Sequence, residues 1–239
     1  MNHVELPAFL AGLRQAARTG GDLSVASAAD AARLLSLDAL TVSLRSEHGV
    51  LELLWADYAH ALGPALDDLQ FTVGEGPTPD AARTRLTVVA GDLTSTPAER
   101  WPLFSPAARA LPAGAVIAVP LLLGLATVGV VTGSLAAPAP FPADQRQDLA
   151  RFSRVALDLV LHTPVRALDA GNQGRDLHRA AVHQAAGILT VQLGVGVGVE
   201  VGIDEALVRL RAYAWRADLP LLHVARAVIA GRLHLAPDG

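Results

Sequence analysis

At 239 residues, 51% of them hydrophobic, the chain has the length of two modules and enough apolar residues for sizeable cores, which excludes a disordered chain. It has no cysteine, which excludes disulfides, thiolate metal sites and thiol redox sensing. A net charge of −4 excludes a nucleic-acid footprint spread over the whole surface.

The opening Met-Asn-His-Val-Glu lacks the basic region and apolar run of a secretion signal, so a cytoplasmic protein is expected. Leu6, Leu10, Leu13 and Ala17 recur at spacings of four, three and four, which predicts a helix ended by Gly20-Gly21. A second helix is read over about 25–35. Two strand-like runs follow, Ala39 to Arg45 and Val50 to Ala56, joined by Glu47-His48-Gly49 as a hairpin. The stretch from Asp57 to Leu69 reads as an unassigned connection, after which Phe71 to Val73 enters the turn Gly74-Glu75-Gly76-Pro77. A short helix (79–83), a strand (87–90) and a proline-bounded helical stretch (97–111) come next.

From Ala110 to Ala143 no residue is charged, a run longer than the ~20 residues that span a bilayer. Pro112, Pro120, Gly124, Gly129 and Gly133 interrupt it and valine is frequent, so it reads as two buried strands, Ala115 to Leu123 and Thr127 to Leu135, turning at Gly124-Leu125. A helix over 142–162 completes the first module. Strands in hairpins with helices gathered at the ends and on one face give an α+β sandwich.

Several short motifs in this stretch resemble the GAF domain, a small-molecule sensing module. They are Val73-Gly74-Glu75-Gly76-Pro77, Asp80-Ala81-Ala82, Asp92-Leu93, Arg100-Trp101-Pro102 and Val119-Pro120-Leu121. The resemblance covers residues 1–162 and implies an antiparallel sheet with flanking helices and a pocket for an unidentified small molecule. Where many such domains carry a cysteine after Gly-Glu-Gly-Pro, this chain has Thr78.

Residues 163–174 contain Pro164, Gly171 and Gly174 and read as a linker. Beyond it, three apolar-periodic segments are too short to bury their stripes alone and must close as a three-helix bundle over 175–239. In the first, Val182, Ala186, Leu189 and Leu193 form one stripe while Ile188 and Val191 lie nearly opposite. In the second, Ile203, Leu207, Leu210, Ala214 and Ala217 form a face, with Glu205, Arg209, Tyr213 and Arg216 opposite. Between these segments the glycine-valine run 194–202 reads as an inserted loop or short edge strand.

Four ordered blocks in this bundle resemble the ANTAR domain, an RNA-binding module of transcription antiterminators. They are Ala185 to Leu189, Asp204 to Ala206, Leu210 to Ala214 and Leu221 to Ala225. Together the two modules resemble the GAF and ANTAR regulators of the actinobacterial type. That resemblance implies a homodimer that binds hairpin loops of nascent leader transcripts, with Gln184, Gly187, Arg209, Arg211, Tyr213 and Arg216 as RNA contacts. Five of them have a plainer reading: the arginines as solvated helix charges, Tyr213 as packing, Gly187 as a close helix–helix contact. Trp215 reads as a packing aromatic.

The chain departs from the family where Ala186 stands in place of a basic residue, and where Leu219-Pro220-Leu221 replaces polar or basic residues. From residue 173 onward seven arginines face six acids, giving +1 against −5 for the remainder. These departures leave a second reading, a ligand-sensing or dimerisation protein whose C-terminal module works by protein contacts. The scattered histidines offer no metal spacing, and no catalytic constellation or cofactor signature is present, so no metal, cofactor or enzyme activity is expected.

Overall fold

The computed structural model describes residues 5–46, 49–162, 173–197 and 201–235; for 173–178 and 194–197 it describes the backbone alone. These residues fall into two compact units.

The first unit is built on a five-stranded antiparallel sheet of β1 (Ala39–Arg45), β2 (Leu51–Ala56), β3 (Val88–Ala90), β4 (Ala115–Leu123) and β5 (Ala126–Leu135), in the order β2-β1-β5-β4-β3. The uncharged stretch is therefore the β4–β5 hairpin, turning at Gly124 with φ 62°. Among the described residues no helix is long and apolar enough to cross a membrane.

Because side chains alternate along a strand, each central strand supplies two cores. Ala115, Ile117, Val119 and Leu121 of β4 face α1 (Glu5–Arg18), α2 (Ala28–Leu34) and α6 (Ala143–His162). Val116 and Ala118 face α3 (Leu62–Val73), α4 (Pro77–Thr84) and α5 (Phe104–Ala108). Helices thus cover both faces of the sheet, where the sequence had suggested one. An antiparallel sheet with apolar residues on both faces must be covered twice.

The predicted stripe of α1 is buried as Leu6, Leu10, Leu13 and Ala17, each leucine contributing about 1.5–3 kcal/mol. The second helix is shorter than expected: a turn of 3-10 helix capped by Asp22 precedes α2, whose N-cap is Ser27. The proline-bounded stretch yields only the five residues of α5, since Pro97 and Pro102 interrupt any longer run. Helix α3 occupies most of the stretch that had read as a connection.

The second unit comprises α7 (Gln173–Val197), α8 (Ile203–Arg216) and α9 (Leu221–Ile229), packed on one another as three helices. Its core takes Val182, Ala186, Leu189 and Leu193 from α7, Leu207, Leu210 and Ala214 from α8, and Leu221, Val224 and Val228 from α9. Helix α7 runs on through Val197, so the first half of the glycine-valine run is helical rather than loop or strand; residues 198–200 lie outside the description. The linker reading falls on 163–172, also outside it, and Gln173 and Gly174 belong to α7. Ala217 closes α8 as an exposed C-cap rather than continuing the buried face.

Candidate functional site

Three motifs of the first unit, 73–77, 80–82 and 100–102, meet around the α3–α4 turn, whereas Val119 and Leu121 face the opposite core. Gly74 ends α3 in the left-handed region at φ 73°, and Gly76 takes φ 123° and ψ −179°, open to glycine alone. A Cβ at Gly76 would meet Oε1 of Gln70 at 2.7 Å. The carboxamide of Gln70 needs that space because its Oε1 accepts the backbone N–H of Thr78 at 2.8 Å, satisfying a first-turn donor of α4. Pro77 occupies the first helical position, where its missing N–H costs nothing.

Glu75 between the two glycines reaches to α5, where its Oε2 accepts from the backbone N–H of Leu103 at 2.8 Å and of Phe104 at 3.2 Å. Asp80 on α4 holds two groups at once. Its Oδ2 accepts the indole N–H of buried Trp101 at 3.0 Å, and its Oδ1 pairs with Arg83 at 2.7 Å. The Arg100 guanidinium lies 4.2 Å from the Trp101 ring centroid.

Beneath this frame the sheet is polar. Thr41 and Ser43 of β1 and Thr132 and Ser134 of β5 are buried, on the face that α3 and α4 cover. Ser43 donates to Asp67 at 2.8 Å, and the hydroxyls of Thr78 and Thr132 meet at 2.8 Å. Thr78 is thus a buried structural hydroxyl. Nε2 of Gln70 on α3 and Oγ of Ser105 on α5, both in residues 2% exposed, have no hydrogen-bond partner among the described residues. Sequence reasoning missed Asp67 and Gln70, one turn apart on α3, and Thr132 on β5; polar positions alternating along β5 signalled only Thr132.

In the second unit the six expected contact residues do not form one uniform surface. Gln184 on α7 and Arg216 on α8 are exposed. Arg209, Arg211 and Tyr213 are half-buried, so the face opposite the core stripe is less open than its spacing predicts. Arg209 lies one turn from Glu205, whose Oε1 accepts from both its Nε and one terminal nitrogen at 3.2 Å. Burial brings the Arg211 guanidinium down to about 10, against the pull of Asp204, and it remains cationic at neutral pH. Arg216 lies over the Tyr213 ring, 5.6 Å from its centroid.

Three sequence readings change. Gly187 is no close helix–helix contact, since a Cβ there would meet no neighbouring atom within 4 Å. Ala186 is fully buried, so it fills the core rather than leaving a surface cation missing. Trp215 is not a packing aromatic: it is 69% exposed, and Val208 two turns before it is 60% exposed.

No family model matches the chain, and no curated protein is similar to it. Solved structures are. The GAF domain of an Acinetobacter phosphoenolpyruvate-protein phosphotransferase is 15% identical, aligning over 72% of this chain and 99% of its own with a TM-score of 0.50. The GAF domain of a phosphoenolpyruvate-protein phosphotransferase from Coxiella burnetii is likewise 15% identical, over 72% of this chain and 100% of its own, with a TM-score of 0.50. At this identity the likeness establishes a GAF-like fold, an α+β sheet with flanking helices.

Proposed function

We propose that the chain is a transcription antitermination regulator, in which the GAF-like unit senses a small molecule and the C-terminal bundle binds hairpin loops in nascent RNA. Binding rather than bond chemistry is its activity, and the sensed ligand governs how strongly RNA is held.

The observation that carries the RNA reading is the outer surface of α8. The ANTAR-like blocks supply the bundle core through Ala185, Ala206, Leu210 and Ala214 on α7 and α8, and Leu221 and Ala225 on α9. Outside that core the segment 209–216 carries Trp215 and Arg216 exposed and Arg209, Arg211 and Tyr213 half-buried, with no acid in the segment. Unpaired bases of a loop present flat faces and phosphates together, which aromatic rings and guanidinium groups meet together. For the sensor, the supporting feature is the buried polar face of β1 and β5, where Thr41, Ser43, Thr132 and Ser134 lie between the sheet and the helices α3 and α4.

Selection of the full-length protein against a pool of structured RNAs at two salt concentrations, beside a variant carrying Arg209→Ala and Arg216→Ala, tests this. Enriched hairpins whose affinity falls with salt and is lost in the variant are expected. A second reading, that the bundle works by protein contacts, draws on the exposure of Val191 on α7 and Val208 on α8, at 65% and 60%. It predicts no enrichment of any RNA.

A further inference from the structure

We infer that Trp215 is an open stacking platform for an unpaired nucleobase, an RNA-contacting residue that neither motif nor periodicity assigns; this rests on the RNA reading of α8.

The chain has three tryptophans, and two are structural. Trp55 is 8% exposed, stacks on Phe152 and donates its indole N–H to the Ala26 carbonyl. Trp101 is 1% exposed and donates to Asp80. Trp215 is 69% exposed, and the α8 stripe of Ala206, Leu207, Leu210 and Ala214 is buried without it. A large exposed ring in a helix whose core is complete contributes little to the fold and is costly to keep in water.

Its surroundings select the partner. Along α8 the acids Asp204 and Glu205 lie in the first turn, and Glu205 is held by Arg209. The C-terminal half that carries Trp215 holds exposed Arg216 beside it and half-buried Arg211 one turn before it, with no acid before Asp218 beyond the helix. Tyr213 already has a cation on its ring, whereas the indole is open to solvent. An exposed indole beside an exposed arginine suits a ligand that is both aromatic and anionic. An unpaired nucleotide has both properties, with the base on the indole and the phosphate on arginine. An apolar protein surface would not make use of the cations.

The test uses full-length protein and the hairpins it enriches from a randomised-loop RNA library. Trp215→Ala is expected to weaken binding by about tenfold, and Trp215→Phe to retain most of the affinity, because stacking tolerates any aromatic face. Hairpin binding is also expected to shield the accessible part of the tryptophan emission from acrylamide, since Trp55 and Trp101 are inaccessible in either state. Equal affinity of Trp215→Ala and wild type for the enriched hairpins, or unchanged quenching in the complex, would overturn the inference while leaving the RNA reading intact. Wild-type protein that enriches no hairpin at all would overturn the RNA reading itself. A Trp215→Ala protein that binds hairpins normally but changes its oligomeric state would assign the ring to a contact between copies instead. Should Trp215→Ala misfold, Trp215→Phe and the quenching measurement still decide.

Discussion

Asp80 and Trp101, twenty-one residues apart in sequence, are joined by a hydrogen bond of 3.0 Å from the indole N–H to Oδ2, tying α4 to the loop that leads into α5. The indole is 1% exposed, so its N–H has no access to water. Asp80→Ala should therefore destabilise the first unit by about 1–3 kcal/mol, the cost of an unmet buried donor. Asp80→Asn keeps an acceptor oxygen and should lose less. Urea unfolding followed by near-ultraviolet circular dichroism of the tryptophans checks both, and equal stability of Asp80→Ala and wild type would contradict the geometry.

The neighbouring turn makes a sharper demand. Gly76 combines φ 123° with a Gln70 side chain 2.7 Å from where a Cβ would stand, so Gly76→Ala meets both backbone strain and a clash, together at least about 1–3 kcal/mol. Gly74, at φ 73° and ψ 12°, sits in the region that asparagine also tolerates, and Gly74→Asn should be much milder. Glu75→Ala removes the acceptor for Leu103 and Phe104 at the start of α5 and should cost about 1 kcal/mol. The order Gly76→Ala, then Glu75→Ala, then Gly74→Asn in thermal stability is the outcome that checks the turn.

Much of this architecture was legible in the sequence, and what was not has identifiable causes. The β4–β5 hairpin was readable because uncharged residues, valines and spaced glycines leave a strand pair as the natural arrangement. Helix α3 was not, for two reasons. Gly63 and Pro64 at its start look like loop residues, yet Pro64 falls in the first turn, where no backbone N–H needs a partner. Its buried face also carries Asp67 and Gln70, whose polarity breaks the apolar period. The glycine-valine run misled in the other direction, since glycines at 194 and 196 do not stop α7. Trp215 lay beyond periodicity altogether, because position on a helix wheel does not say whether a neighbouring element covers it.

Asp22 supplies a pH test. Hydrogen bonds from Ser24, to the carboxylate that caps the 3-10 turn, hold its carboxyl below the usual carboxylate range. A carboxyl depressed by folding contributes stability that is fully present above its unfolded pKa, ~3.9, and that is lost as pH falls through the lower folded value. Asp22→Ala should therefore be less stable than wild type at neutral pH, by under about 1 kcal/mol at this solvent-screened site. The two thermal midpoints should converge as pH falls below the carboxylate range, and a gap that widens on acidification would contradict this.

Gly187 tests one of the expected RNA contacts on α7. Glycine in a helix interior costs about 1 kcal/mol against alanine, and such a position is normally explained by a neighbour too close for a Cβ. Here no neighbouring atom lies within 4 Å of that Cβ, so the fold gains nothing from the glycine. Gly187→Ala should accordingly stabilise α7 by up to about 1 kcal/mol, read as slower amide hydrogen exchange along that helix in the full-length protein. If a nucleic acid approaches the α7 backbone at this point, the same methyl group stands in its way, and affinity for enriched hairpins should fall although the helix is firmer. A variant both more stable and weaker in RNA binding fits the antiterminator reading, because no loss of folding can account for the lost affinity. A variant more stable with unchanged hairpin affinity would remove Gly187 from the contact surface and leave Gln184 and the α8 residues to carry it. A variant less stable than wild type would show instead that the glycine serves packing, against the open space seen around it.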